Sequence, residues 1–181
     1  MYEDLIEKKI SEEAIFDGTL LHVRRDKVCL PNGDEAVREW IRHPGASAVL
    51  PFFENGDVLL VRQYRYPIGE VTLEIPAGKL DAPDEDPLTC AQRELSEETG
   101  YRAAHYEKLT TIATTVGFSN ERIHLYLAYE LTAGKQHTDP DEFINVVRMP
   151  LAEAIAQIET GKIIDAKSVV ALLLAQQRQQ A

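Results

Sequence analysis

Apolar and polar residues alternate in short runs along most of this chain, and the period lengthens to a helical one in three places. Through "TLLHVRRDKVCL" (19–30) apolar and β-branched residues recur roughly every second position, which predicts a strand. "PNGDE" (31–35) carries the Asn32-Gly33 pair favoured by two-residue hairpin turns, and "AVREWIRH" (36–43) reads as the return strand. Residues 1 to about 45 therefore read as short strands of a small antiparallel subdomain. "GASAVLPFF" (45–53) and "DVLLVRQYR" (57–65) predict two strands around the tight turn "ENGD" (54–57). "TLEIPAG" (72–78) is a short strand closed by Pro76 and Gly78, and "KLDAPDED" (79–86) is a polar loop. "YEKLTTIATTV" (106–116), "RIHLYLAYEL" (122–131) and "INVVRMP" (144–150) read as strands, with loops at "GFSNE" (117–121) and "GKQHTDPDEF" (134–143).

The first helical stretch has clear ends. Asp86 is a suitable N-cap, Pro87 fits the first helical position, and Gly100 is the expected stop, so the helix spans Pro87 to Thr99. Leu88, Ala91 and Leu95 mark its core face. "LAEAIAQIETG" (151–161) predicts a second, amphipathic helix, and "DAKSVVALLLAQQ" (165–177) a third, capped by Asp165 or Ser168. "AQQRQQA" (175–181) reads as a frayed tail. Strands, helix, strands and two helices together describe an α+β or α/β sandwich.

Composition narrows the function. The chain of 181 residues suits one domain, or one domain with an extension, and 44% apolar content is enough for a core. Asp and Glu outnumber Lys and Arg by 30 to 19, a net charge of -11 that disfavours nonspecific nucleic-acid binding. An anionic substrate would then need a bound cation to approach. Cys29 and Cys90 lie in no ligand pattern, which suits a reduced, cytoplasmic setting. "MYEDLIEKKI" lacks the apolar stretch of a signal peptide, and no run is long enough to span a membrane. The five histidines are scattered and suggest neither a zinc site nor an acyl-transfer triad.

The chemistry gathers in "QRELSEETGY" (92–101). At roughly 100° per residue, Glu94 and Glu98 lie about 40° apart, and Glu97 about 60° to the other side of Glu94. Arg93 stands four before Glu97 and can pair with it. Such a cluster also reads as a solvated acidic face. Hard divalent cations, however, prefer carboxylate oxygen, and a three-carboxylate face can hold two or more of them.

Gly78, Glu85 and the run Arg93, Glu94, Leu95, Glu97, Glu98, Gly100 and Tyr101 resemble the Nudix signature, whose tail reads Arg-Glu-apolar-x-Glu-Glu-x-Gly-apolar. Seven residues separate Glu85 from Arg93, as in that signature, whereas six rather than five separate Gly78 from Glu85. The loop before the helix is one residue longer than the pattern. "HPGASAVL", "VRQYRYP", "LEIPAGKL", "GFSNE" and "DEF" extend the resemblance to the ADP-ribose pyrophosphatase branch, which also handles nucleoside diphosphate sugars.

The resemblance implies an α+β fold of α/β/α sandwich type with a small N-terminal antiparallel β subdomain. It implies a division into residues 1–44, an element exchanged in a homodimer, and a catalytic domain at 45–181. The Ala77 carbonyl, Glu94 and Glu98 would hold Mg²⁺, or Mn²⁺ in its place, with Glu97 as a further ligand or support. Arg93 orients the carboxylates, and Glu142 in the "PDEF" loop matches the family's general base or extra metal ligand. Arg38 and Arg65 match arginines near the diphosphate or terminal ribose; Glu74, Gly117 and Phe118 fall at substrate-side positions. Arg62 is a weaker candidate, and Trp40 fits the core or a dimer contact better than a nucleobase. Val116 stands where the family often has proline, in the loop that selects the terminal sugar.

The implied reaction is cleavage of ADP-ribose into AMP and ribose 5-phosphate. A second reading is another nucleoside diphosphate sugar such as ADP-glucose or GDP-mannose. A third is a ligand sensor without catalysis, against which the retention of Glu94, Glu97, Glu98 and Glu142 argues.

Overall fold

The structure, a computed structural model, describes residues 2–82 and 84–180. The chain forms two compact units: Met1–Gly45 with Ala113–Glu121, and Ala46–Ile112 with Arg122–Ala181.

In the first unit, β1 (Lys8–Asp17), β2 (His22–Cys29) and β3 (Glu35–Arg42) form an antiparallel sheet in that order. β1, rich in charge, is exposed along its whole length and departs from regular pairing twice. The 113–121 segment hangs on the end of β3. The Ile41 N–H donates to the Phe118 carbonyl at 2.8 Å, and the His43 N–H to Asn120 Oδ1 at 2.7 Å.

The second unit holds two sheets. β4 (Ala46–Pro51), β7 (Ala77–Lys79), β8 (Tyr101–Ala113) and β9 (Arg122–Ala133) form one, in the order β7-β4-β9-β8, with β4 parallel to β9 and antiparallel to β7. β5 (Asp57–Arg65), β6 (Glu70–Glu74) and β10 (Asn145–Pro150) form an antiparallel sheet ordered β10-β5-β6. The helices are α1 (Pro87–Thr99), α2 (Leu151–Glu159) and α3 (Ala166–Gln180).

Every residue of β4 is buried, as a strand covered on both faces requires. The two-residue period sends its side chains to opposite layers. Ala48 and Leu50 join Val58, Leu60, Leu73, Leu125, Leu127 and the apolar residues of α2 and α3, while Val49 joins Ala91 and Leu95 of α1. Helix α1 is thus pinned to one face of the mixed sheet and α2 with α3 to the other. This is the expected α/β/α layering.

Several boundaries differ from the sequence reading. "TLEIPAG" is not one strand: the chain leaves β6 at Glu74 and enters β7, in the other sheet, at Ala77. Pro76 cannot donate to a ladder, and its carbonyl instead accepts from the Val49 N–H at 2.9 Å. β8 begins at Tyr101, directly after α1, because Tyr101, Ala103 and Tyr106 all pack into the α1 cluster. The 175–180 segment is helical rather than frayed. Arg178 pairs with Glu107 and reaches the Lys108 carbonyl at 3.4 Å, which ties down the last turn; Ala181 lies outside the described residues. Of the two candidate caps of α3, Asp165 serves, accepting the Ser168 N–H at 3.0 Å.

Helix α1 has the ends read from its sequence. Asp86 accepts the Thr89 N–H at 3.2 Å, and Gly100 closes the helix in the left-handed region at φ 75. A β-carbon on Gly100 would lie 2.6 Å from the backbone nitrogen of Gln136. Gly100→Ala therefore combines left-handed strain with a backbone clash, and urea unfolding should show a loss of about 2 kcal/mol or more. A loss below about 0.5 kcal/mol would show that this close approach does not constrain the fold.

Candidate active site

The core stripe of α1 fixes the direction of its other faces. With Ala91 and Leu95 turned into the sheet, Glu94 and Glu98, one turn apart, project toward β7. Glu98 Oε2 accepts the Ala77 N–H at 3.0 Å. Glu94 places its carboxylate over Gly78, where a β-carbon would occupy the same space. Only glycine lets strand and carboxylate approach so closely.

Both carboxyls are removed from water, with 8% of Glu94 and 2% of Glu98 exposed. Burial pushes Glu98 up to about 8, and the neighbouring charges of Glu94 and Glu142 add to it, against the Ala77 N–H and the Lys167 charge. Burial likewise pushes Glu94 up to about 7; Arg93 opposes this, and Glu97 and Glu142 reinforce it.

Arg93 is the cationic counterweight. Its Nη1 donates to Glu94 Oε1 at 2.6 Å and Glu97 Oε2 at 3.2 Å, and its Nη2 to the Lys79 carbonyl at 3.1 Å. Its Nε lies 3.3 Å from Asp81 and 3.5 Å from Glu85, ion-pair distances without hydrogen-bond alignment. The loop that is one residue longer than the pattern folds back here, its Asp81 N–H donating to Glu85 Oε2 at 2.6 Å. Glu97 turns away from Glu98 and lines a cavity of about 510 Å³ with Arg93, Arg102, Tyr106 and His137.

The 134–143 loop is docked onto the end of α1. Gln136 Nε2 donates to the Glu98 carbonyl at 2.7 Å and the Ile144 carbonyl at 3.2 Å, and the His137 N–H donates to the Glu97 carbonyl at 3.1 Å. Gln136 thus satisfies an otherwise open helix carbonyl and pins the loop that carries Glu142. Glu142 itself is exposed, its N–H donating to the Asp139 carbonyl at 3.0 Å, and its charge is felt at both Glu94 and Glu98. Nothing in the sequence singles out Gln136, a glutamine in a polar loop.

Arg65 and Glu74 form a bidentate pair, Nε to Oε1 and Nη2 to Oε2, each 2.7 Å. Glu74 also accepts Thr72 Oγ1 at 2.6 Å and the ammonium of Lys167. It is 2% exposed, and its partners hold it down at about 2 against the opposing cost of burial. Lys167 is a second residue the sequence reading missed. Arg62 is exposed and lines a groove with Glu70 and Lys162. Arg38, Gly117 and Phe118 belong to the first unit, where Arg38 pairs with Glu7, its Nε donating at 2.9 Å. Trp40, half-buried in β3, lies beneath the Arg42 guanidinium.

Among the described residues, no three His, Cys, Asp or Glu side chains close into a cage that would hold a metal alone. β7 brings two buried carboxylates together beside Ala77. That set suits Mg²⁺, which takes one or two protein carboxylates and completes its shell with water and phosphate. Two buried, cation-poor carboxyls are also the groups a bound divalent ion would relieve. Among the described residues, no helix is long and apolar enough to cross a membrane.

The NUDIX domain family matches residues 41–172 of this chain. The chain is 41% identical over 172 residues to an ADP-ribose pyrophosphatase of Bacillus subtilis (strain 168), covering 94% of this chain and 92% of that one. It is 43% identical over 168 residues to the methanol dehydrogenase activator of Bacillus methanolicus, covering 92% and 90%. A crystal structure of an ADP compounds hydrolase shares the fold, with a TM-score of 0.85 at 24% identity over 97% of this chain and 96% of that one.

The raised carboxyls set a pH dependence. Folded values of about 7 and 8 exceed the ordinary 4.5, so between about pH 5 and 8 the folded chain binds more protons than the unfolded one. Stability must then fall as pH rises through that window. Glu74, depressed to about 2, acts the other way, but its contribution is lost only as pH falls below about 4.5. In the presence of a chelator, the melting temperature should decline between about pH 6 and 8, and Glu98→Gln should flatten that decline. A melting temperature independent of pH in both proteins would contradict the burial argument.

Proposed function

The chain belongs to the NUDIX family as a hydrolase related to ADP-ribose pyrophosphatases, and from that premise we propose that it cleaves the diphosphate bond of ADP-ribose, with Mg²⁺ (or Mn²⁺ in its place), to give AMP and ribose 5-phosphate. The observation that carries the reading is the buried Glu94–Glu98 pair beside Ala77, in a chain similar to an ADP-ribose pyrophosphatase over nearly its full length.

In this reading Glu94, Glu98 and the Ala77 carbonyl hold the cation, with Glu97 as support. When bound, Mg²⁺ neutralises diphosphate charge and lowers the pKa of water at the site. Arg93 holds Glu94 and Glu97 in one orientation through a single guanidinium. Glu142 takes the proton of the attacking water; its docked loop base and exposed carboxylate suit a group that must meet solvent and substrate. The water oxygen joins one phosphorus as the bridging P–O bond breaks, and the bridging oxygen leaves with the other phosphate. Arg65 and Arg38 grip the diphosphate or the terminal ribose, since a guanidinium matches phosphate geometry bidentately. Gly117 and Phe118 shape the pocket for the terminal sugar, where Val116 replaces the proline of the family pattern.

The partner in solution is a second copy of this chain, exchanging the 1–44 element. Ile10, Phe16 and Val37 on the first unit's sheet are each about half exposed, which supports such a contact.

The test is a substrate panel of ADP-ribose, ADP-glucose and GDP-mannose with Mg²⁺, read as released monophosphate. ADP-ribose should be turned over with the highest kcat/KM, and Glu98→Gln should lower its kcat by about a hundredfold or more at unchanged secondary structure. A higher kcat/KM on GDP-mannose would move the assignment to the sugar-nucleotide reading. No turnover of any of the three would favour the sensor.

A further inference from the structure

Lys167 is an unusual residue for its position. It is 7% exposed, although lysine is almost never buried without cause, and it stands in the first turn of α3, where the helix dipole disfavours a cation. Its ammonium bonds Glu74 and lies 3.0 Å from Asp165, the α3 cap. A buried ion pair of this kind is weak evidence of stabilisation, because apolar residues of similar volume often serve better. The arrangement therefore calls for another reason.

The neighbours supply one. Glu74 uses both oxygens to grip Arg65 side-on, and Thr72 and Lys167 take the lone pairs that remain. Arg65 spends Nε and one Nη2 hydrogen on this grip, which leaves three N–H groups on a guanidinium whose side chain is 41% exposed. The charges of Glu98 and Asp165 both favour the cationic form of Arg65. The same stretch of α3 also steadies β7: Ser168 Oγ accepts the Ile75 N–H at 2.8 Å, two residues before Ala77. Without Lys167 the cluster of Arg65, Glu74 and Asp165 would carry an extra negative charge in a region already rich in carboxylates.

We propose that Lys167 is a positioning residue for substrate binding: through buried Glu74 it locks Arg65 with its free edge toward the diphosphate and keeps the cluster neutral toward that anion. The inference rests on the diphosphate substrate proposed above. Glu74 then acts beneath Arg65, since no carboxylate oxygen is left for a ligand.

The test compares wild type, Lys167→Met and Lys167→Arg on the best substrate of the panel, together with the hydrogen-exchange rate of the Arg65 Nε–H by ¹⁵N NMR, assigned by its loss in Arg65→Lys. Lys167→Met should raise KM about tenfold, as expected for a lost hydrogen bond to a charged group, and leave kcat within about twofold. It should also accelerate Nε–H exchange, and Lys167→Arg should restore both values. Wild-type KM and exchange rate in a folded Lys167→Met protein would overturn the proposal. If wild type turns over nothing in the panel, the proposed function fails and the exchange rate alone decides the positioning. Lys167→Gln, which keeps an N–H donor, replaces the methionine variant if that does not fold.

Discussion

Burying an ionised carboxylate is costly, and a protein that does so twice within one helical turn needs a compensating cation or a proton. Glu94 and Glu98 are buried in this way, and of these two Arg93 bonds Glu94 alone. Much of the second unit can be understood as the scaffold of that pair. Ala91 and Leu95 anchor α1 against β4 and β9, which turns the glutamates toward β7. Gly78 gives them room, the Ala77 N–H takes one oxygen, and Gln136 caps the helix carbonyl behind them.

The acidic surface fits this chemistry. With net charge -11, the protein as a whole repels a diphosphate. In the proposed reading attraction is local, at a cation held by the carboxylate pair at β7 and at the Arg65 guanidinium bonded to Glu74, which Lys167 also bonds. Both are reached through the Glu74–Lys79 segment, where the chain passes from one sheet to the other. The same crossing at Pro76 that breaks the expected single strand carries Glu74 into the buried cluster and Ala77 to Glu98.

Local chemistry made part of this legible from residues alone. Asp86, Pro87 and Gly100 mark the ends of α1 because capping and left-handed geometry depend on single side chains. The spacing of Glu94 and Glu98 reads directly as a shared face, and the Arg93–Glu97 pair follows from the i,i+4 rule. What stayed hidden depends on contacts distant in sequence. Lys167 meets Glu74 from 93 residues away, and Gln136 meets Glu98 from 38. Neither pairing leaves a periodic trace. The early start of β8 is hidden because Tyr101, Ala103 and Tyr106 owe their place to packing in the cluster of α1, a contact that only the fold supplies. The last turn of α3 was missed because Arg178 finds Glu107 across the fold.

In the proposed reading Glu94 and Glu98, their carboxyls raised by burial to about 7 and about 8, hold protons near neutral pH until a divalent cation displaces them. Calorimetric titration of Mg²⁺ or Mn²⁺ into the chelator-treated protein at about pH 6.5, repeated in buffers of different ionisation enthalpy, counts those protons directly. Saturable binding should release about one to two protons per chain, falling toward zero above about pH 9. Binding without proton release at about pH 6.5, or no binding at all, would contradict it.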